Sequence, residues 1–310
     1  MGTARNGARV ILALAMALDA FLGEPRAIWS RLPHPAVLMG RAVDALERGL
    51  NRGERRRLRG VLAVLLLAGG SAALGWAVAS LPGGPLWEVI AAAILLAQRS
   101  LVDHLRAVAF ALRRSVAAGR EAVAMIVGRD TAAMDEAAVA RAAIESGAEN
   151  LSDGVIAPAF WFILGGLPGM LLYKAVNTAD SMIGYRTPRH ERFGWAAARF
   201  DDVLNLVPAR LTALLILSAH GTRGRLRALV ADASRHRSPN AGWPEAAMAQ
   251  VLDVALSGPR SYGGTMRDLP WIHAVGRHHL GPEDVDAACR ALWRTWTLGL
   301  ALVVASAALL

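Results

Sequence analysis

This chain of 310 residues contains one cysteine, Cys289, and one lysine, Lys174. A lone thiol excludes an internal disulfide and a thiolate-built metal site. Charge is scarce as well: 19% of residues are Asp, Glu, Lys or Arg, against about 25% in an average soluble domain. There is no GxxxxGK[ST] phosphate loop, no GxGxxG fingerprint and no serine nucleophile elbow, so any nucleotide is held by other means. Internal repeats, low-complexity linkers and alternating strand patterns are missing too. What remains is apolar and basic at once, with 54% hydrophobic residues and a net charge of +9, a mean hydropathy of +0.34 and a pI of about 11.1. So much apolar surface excludes disorder. Basic nucleic-acid-binding domains are rarely this apolar, and no nucleic-acid partner is expected. The combination fits a membrane protein whose cytoplasmic loops carry the positive charge.

Run lengths agree. No residue between Arg59 and Glu88 is charged. Residues 60–81 are long enough to cross a bilayer, which takes about 20 apolar residues. Pro82-Gly83-Gly84-Pro85 then makes a turn, and 86–102 returns. Further spans are expected at 10–22, which holds Asp19, and at 295–310. Residues 154–173 are uncharged but broken by Pro158, Gly165, Gly166, Pro168 and Gly169, and 203–219 holds Arg210; these two either span or re-enter. Arg5 and Arg9 before an apolar run resemble a signal peptide in outline. Asp19 and the lack of a small-x-small cleavage site favour an uncleaved helix. Arginines crowd residues 24–59 and are absent from the 82–87 turn, which places 24–59, 103–150 and 220–292 on the cytoplasmic side. The expected fold is all-α: a multi-pass integral membrane protein with cytoplasmic helical segments, one membrane-embedded domain over 1–310.

Polar residues that look chemical gather between Glu145 and Asn205. Glu145, Glu149 and Asp153 are spaced four and four, which puts them on one face if the helix persists. Like charges at that spacing repel, and a divalent cation is the usual reason for such crowding; a solvated acidic face is the plainer explanation. Lys174, Asn177, Thr178 and Ser181 recur at helical spacing, with Asp180 beside them. A point charge among amide and hydroxyl donors suits a phosphate, although a lysine also snorkels from the end of an apolar segment. Asp201 and Asn205 share a helix face with Asp202 adjacent, similar to the acidic boxes that hold Mg2+ against a diphosphate. Arg210 inside an apolar segment needs a partner. Asp19, beside Gly23-Glu24-Pro25, and His34-Pro35 are further candidates, and Ser238-Pro239-Asn240-Ala241-Gly242 forms a turn-rich loop. His273, His278 and His279 have no second pair at zinc spacing.

Several of these strings resemble the hallmark blocks of one family. They are Glu145-Ser-x-Ala-Glu149-Asn150-x-Ser152-Asp153-Gly154, Asn177-Thr178-x-Asp180-Ser181-Met182-Ile183-Gly184-Tyr185, and Asp201-Asp202-Val203-x-Asn205-x-x-Pro208-Ala209-Arg210, together with Gly23-x-Pro25, His34-Pro35 and the 238–242 loop. The family is the CobD or CbiB membrane proteins of cobalamin (vitamin B12) biosynthesis, adenosylcobinamide-phosphate synthases. The resemblance runs from Asp19 to Gly264. It implies a multi-pass enzyme of the bacterial inner membrane, an amide-forming carbon–nitrogen ligase. It would join adenosylcobyric acid, at the ring-D propionate, to (R)-1-amino-2-propanol or its phosphate, using ATP and Mg2+.

The resemblance does not assign these roles; the side chains themselves suggest the following expected division over that chemistry. Glu145, Glu149, Asp153, Asp180, Asp201 and Asp202 form the catalytic set, with Glu149, Asp153, Asp201 and Asp202 as Mg2+ ligands. Asn150, Lys174, Asn177, Thr178, Ser181, Asn205, Arg210, Ser238 and Asn240 bind substrate or phosphate. Asp19 and His34 stand behind them, and Trp243, Tyr262 or Trp271 could pack on the corrin face. Beyond corrinoid, amine and lipid, partners would be a second copy of the chain or other corrin-pathway enzymes. Two other classes stay open: a Mg2+-dependent membrane transferase acting on a diphosphate, from the Asp201 box, and a non-catalytic membrane sensor.

Overall fold

The structure is a computed structural model that describes residues 2–222, 225–262 and 264–309. The Tyr262 side chain and Gly263 lie outside the described part. The helices run in order as α1 (Gly2–Leu22), α2 (Arg26–Trp29), α3 (Pro35–Leu50), α4 (Arg56–Ala79), α5 (Gly84–Leu95), α6 (Gln98–Arg114), α7 (Val116–Ala124) and α8 (Glu136–Leu151). A π-helical turn, Ser152–Ile156, leads into α9 (Ala157–Ile183), followed by α10 (Trp195–Leu204), α11 (Leu206–Ala219), α12 (Leu226–Ala233), α13 (Gly242–Leu252) and α14 (Pro282–Ala308). The expected all-α class holds. Among the described residues the sequence pattern missed four very short strands, β1 (Leu256–Ser257), β2 (Arg260–Tyr262), β3 (Thr265–Arg267) and β4 (Trp271–Ile272). They pair antiparallel as β1 with β4 and β2 with β3.

Among the described residues four helical runs are long and apolar enough to cross a membrane: Arg56–Ala79, Gly84–Arg114, Glu136–Ile183 and Pro282–Ala308. α10 with α11 would add a fifth, broken one. The apolar stretch 60–81 falls almost wholly in α4, and 295–310 forms the end of the much longer α14. The 86–102 stretch is divided between α5 and α6, because Leu96 is extended (φ −80°, ψ 155°). Within 154–173, α9 bends where Gly166 takes φ 61° and ψ −157° two residues before Pro168. Proline lacks an N–H and crowds the preceding turn, and a positive φ there suits glycine alone. α1, which contains 10–22, is not among the four.

The chain forms two compact units. Unit 1 comprises residues 1–97, 153–206 and 300–310; unit 2 comprises 98–152 and 207–299.

In unit 1, α4 lies along α9 and α3. Val43, Ala63, Val64, Leu67, Ala175, Ala179, Ile183 and Phe193 form its apolar centre. Gly75 allows the closest approach: a Cβ there would lie 2.7 Å from the Pro168 backbone. Small residues at helix contacts are the usual way spanning helices gain packing when burial from water is not available. Leu58, Leu62, Leu65, Leu66, Leu74 and Trp76 of α4 remain exposed, an apolar row that suits lipid.

His34 caps α3, its Nδ1 accepting the Ala36 N–H at 3.2 Å, with Pro35 in the first turn. At the other end of α3, buried Glu47 accepts from Arg189 Nε and Nη2 at 2.8 and 2.7 Å and from Asn51 Nδ2 at 2.8 Å. The Arg189 hydrogen bonds hold the Glu47 carboxyl at about 2, against its ordinary 4.5. The unfolded chain therefore takes up this proton first as pH falls. Stability from this ion pair is complete above pH 4.5 and is lost as pH drops toward about 2. Thermal unfolding of the purified chain followed over that range will show a falling midpoint that flattens in Glu47→Gln; equal slopes in both would remove Glu47 from the account.

In unit 2, α6, α7 and α8 pack through Leu105, Val108, Val123, Val139 and Ile144, and α13 adds Ala246 and Ala247. Ser115 caps α7 by accepting the Ala118 N–H at 3.1 Å, and Asp135 caps α8 by accepting the Ala138 N–H at 2.8 Å. These are the side chains that satisfy otherwise orphaned first-turn donors.

Candidate functional site

Unit 1 brings together the polar residues of three separate strings. Asp153 stands on the π-helical turn after α8. Such turns add a residue to the helical period and recur at functional sites. The four-and-four spacing from Glu145 therefore keeps its α-helical meaning only as far as Leu151, and the two ends of that row have different partners. Asn177, in the second half of α9, donates through Nδ2 to Asp153 Oδ2 at 3.4 Å and to Asp201 Oδ1 at 3.2 Å. Asp201 Oδ2 in turn accepts from Asn205 Nδ2 at 3.0 Å, one helical turn on. Tyr173 closes the ring. Its hydroxyl donates to Asn205 Oδ1 at 2.9 Å, with the Asp153 carbonyl 3.3 Å away as a second acceptor.

Tyr173, Asn205 and Asp201 are buried. Asp153 and Asn177 are half-buried, and two carboxylates are thus fixed by two carboxamides and a phenol, where each orientation is set by its neighbour. Lys174, beside Tyr173, feels the negative charge of Asp153 and Glu24. His34 belongs to the same neighbourhood. Burial lowers its pKa, Glu24 opposes that, and the Lys174 charge lowers it further. With Nδ1 accepting, a neutral His34 ring carries its proton on Nε2, which is buried and has no hydrogen-bond partner among the described residues.

The other expected residues of this unit play more local parts. Thr178 Oγ1 donates back to the Lys174 carbonyl at 2.7 Å, so its hydroxyl serves its own helix. Ser181 is exposed. The Asp180 carbonyl accepts the Gly184 N–H at 2.7 Å and ends α9. Asp202 pairs with Arg199 at 3.1 Å. Asp19 is buried near the end of α1, and its carbonyl accepts the Gly23 N–H at 2.8 Å.

The remaining expected residues lie in unit 2. Glu145 is buried and accepts from Arg129 Nη2, from Arg260 Nη1 at 3.1 Å and from the Ser257 N–H at 2.6 Å. Nothing local in the sequence marks Arg129 or Arg260 as its partners. Glu149 is exposed, and Asn150 donates to the Ser146 carbonyl at 2.9 Å. Glu245, which sequence reasoning passed over, is buried on α13 with His236 3.8 Å away. Desolvation first, then the charges of Glu145 and Glu149, push its carboxyl well above the ordinary range.

Arg210 finds its partner in the 238–242 loop, donating to Asn240 Oδ1 at 3.0 Å and the Pro239 carbonyl at 3.3 Å and lying 4.6 Å from the Trp243 ring. Ser238 Oγ accepts the N–H groups of Asn240 and Ala241 and shapes that loop. Arg141 lies 4.8 Å from the Trp271 ring.

An oxygen-only donor set such as Asp153 and Asp201 with their carboxamides matches hard cations. Mg2+ commonly takes one or two protein carboxylates and leaves its other positions to phosphate and water. Among the described residues no group of three or more His, Cys, Asp or Glu is arranged to hold a metal. Tyr173 was missed from sequence. Its signal was a lone hydroxyl in an uncharged run, since a buried tyrosine needs a polar partner.

Comparison with known proteins bears on what this arrangement serves. The family model described as CobD/Cbib protein matches residues 12–292. A cobalamin biosynthesis protein CobD from Rhizobium meliloti (strain 1021) is 52% identical over 296 residues, covering 90% of each chain. The CobD protein of Brucella suis biovar 1 (strain 1330) is 46% identical over 314 residues, 96% of each chain. That of Rhodobacter capsulatus is 46% identical over 309 residues, 97% of each. No solved structure matches. A match over most of the chain, with identities of this size to proteins that carry one name, leaves a single assignment: the chain belongs to the CobD/Cbib family of cobalamin biosynthesis.

Proposed function

We propose that this chain joins adenosylcobyric acid to (R)-1-amino-2-propanol, or to its phosphate, through an amide at the ring-D propionate, as a multi-pass enzyme of the bacterial inner membrane. The observation that carries the proposal is the ring of Asp153, Asn177, Asp201, Asn205 and Tyr173. It fixes two carboxylates, Asp201 buried and Asp153 half-buried, where charge can be handled.

Amide formation from a carboxylate needs activation, because oxide or hydroxide is a poor leaving group. ATP is the expected co-substrate: the propionate oxygen takes the terminal phosphoryl group, ADP leaves, and the amine nitrogen then displaces phosphate from the acyl carbon. Asp153 and Asp201 would hold Mg2+, which when bound shields the phosphoryl charge. Asn177 and Asn205 keep the carboxylates aimed, and Tyr173 locks Asn205. The proton lost by the attacking amine goes to a carboxylate oxygen of the pair, a general-base role. Lys174, with Asp153 and Glu24 near it, supplies the cation that steadies phosphate. The row of exposed leucines on α4 and the four long apolar runs support a place in the membrane.

The test is product analysis with the purified protein. Adenosylcobyric acid is supplied with each amine in turn, with and without ATP and Mg2+. Cobinamide or its phosphate appears only in the complete mixture. Absence of amide product with both amines would end the proposal.

A further inference from the structure

Unit 2 contains a cleft of about 160 Å3 that the reaction above does not use. Its walls include Arg129, Arg141 and Arg260, together with Ser257, Asp130 and Asp135. The space is well above the roughly 10–15 Å3 that one water needs.

The charges are unevenly placed. Arg129 and Arg260 are almost covered, with side-chain exposures of 9% and 11%, and both pair with buried Glu145. Arg141 has no carboxylate within ion-pair distance among the described residues. It donates to the carbonyls of Ala255 at 3.0 Å and His278 at 2.8 Å, and Trp271 lies against it. Both aspartates are exposed and already committed. Asp130 accepts from Ser261 Oγ and the Gly264 N–H, which pins the β2–β3 hairpin, and Asp135 caps α8. Arg129 and Arg260 therefore share one buried carboxylate, Glu145, while Arg141 has Glu145 and Asp135 nearby without a direct ion pair to either.

Ser257 sharpens this. Its φ of 64° is unusual for a residue with a side chain. The strained turn aims its N–H at Glu145 and starts the short segment that delivers Arg260. Covered arginines in excess of their carboxylates are costly unless an anion joins them. Phosphate is the anion whose oxygens can accept from several planar forks at once.

We infer that the cleft walled by Arg129, Arg141 and Arg260 is an anion site that takes the phosphate group of a small molecule or a lipid. Arg141 is the arginine to test, since Arg129 and Arg260 also hold Glu145.

The full chain in phosphatidylcholine nanodiscs is titrated with inorganic phosphate by calorimetry, with corrinoid, amine and ATP all left out, so that failure of the ligase reading does not touch the result. Saturable binding is expected. Arg141→Gln weakens it about tenfold or more, the worth of one charge-assisted hydrogen bond, and Arg141→Lys recovers part. If phosphatidylglycerol in the nanodisc competes with phosphate in the wild type but not in Arg141→Gln, the source is a lipid headgroup; without competition it is a soluble phosphate. Should Arg141→Gln fold poorly, protection of Arg141 from phenylglyoxal by phosphate, mapped by mass spectrometry on the wild type, reads the same contact. No saturable binding, equal binding in Arg141→Gln, or no protection of Arg141 overturns the inference.

Discussion

Asp201→Asn lowers amide formation by at least about 100-fold, the lower end of what a positioned acid–base group contributes, while the protein keeps its helicity. Asp201 is the hub of the ring in unit 1. One oxygen accepts from Asn177 and the other from Asn205. Asparagine has the same shape, so the packing around Phe200 and Leu204 is untouched. It has one acceptor oxygen instead of two, and its amide presents donors to a neighbour that is itself a donor. It also removes the negative charge that a cation or the amine proton would meet. Charge and orientation therefore fail together, which is why the expected loss exceeds that of one hydrogen bond. Asp202→Asn supplies the contrast: that carboxylate pairs with Arg199 on the same helix with both side chains partly in solvent, and such pairs are worth little. Its effect stays under about tenfold by the same reasoning. Single-turnover assays on both variants beside the wild type decide the matter. Asp201→Asn within threefold of wild type would remove the ring from the mechanism.

Part of this arrangement is legible in the sequence. The pairing of Asp201 with Asn205 follows from spacing alone, because residues four apart on an α-helix meet. The apolar runs at 60–81 and 295–310 announced α4 and the end of α14, since composition and length are all that such a run needs. The row Glu145, Glu149, Asp153 was not legible in the same way. Its spacing assumed an unbroken α-helix, and the π-helical turn at Ser152–Ile156 changes the period just where Asp153 stands. Nor could spacing reveal that Asn177 would bridge Asp153 and Asp201, each 24 residues away in sequence. That contact depends on how α9 and α10 fold back, which is tertiary information. Asn240 as the partner of Arg210 lay in the same category. An arginine inside an apolar run demanded a partner, but only the fold could say that it sat in the turn-rich loop 30 residues on.

Glu145→Ala is expected to cost about 3–5 kcal/mol of stability, the range for removing one partner of a buried ion pair. The reason lies in what is left behind. Arg129 and Arg260 would keep their charges under cover without Glu145, and the Ser257 N–H, held at a positive φ, would lose its acceptor. Glu149→Gln, four residues on and exposed, removes a like charge facing buried Glu245. Its effect on stability should be within about 0.5 kcal/mol, as for most surface changes. Both carboxylates come from one string in the sequence, so the pair separates a structural role from a chemical one. Chemical unfolding in detergent measures the first. Specific activity per folded molecule, taken at a temperature where Glu145→Ala is still folded, measures the second. A Glu145→Ala protein that unfolds with wild-type midpoint but makes no amide would put this carboxylate among the reacting groups. One that unfolds early yet retains its specific activity would leave Glu145 as the anchor of the two arginines that wall the cleft.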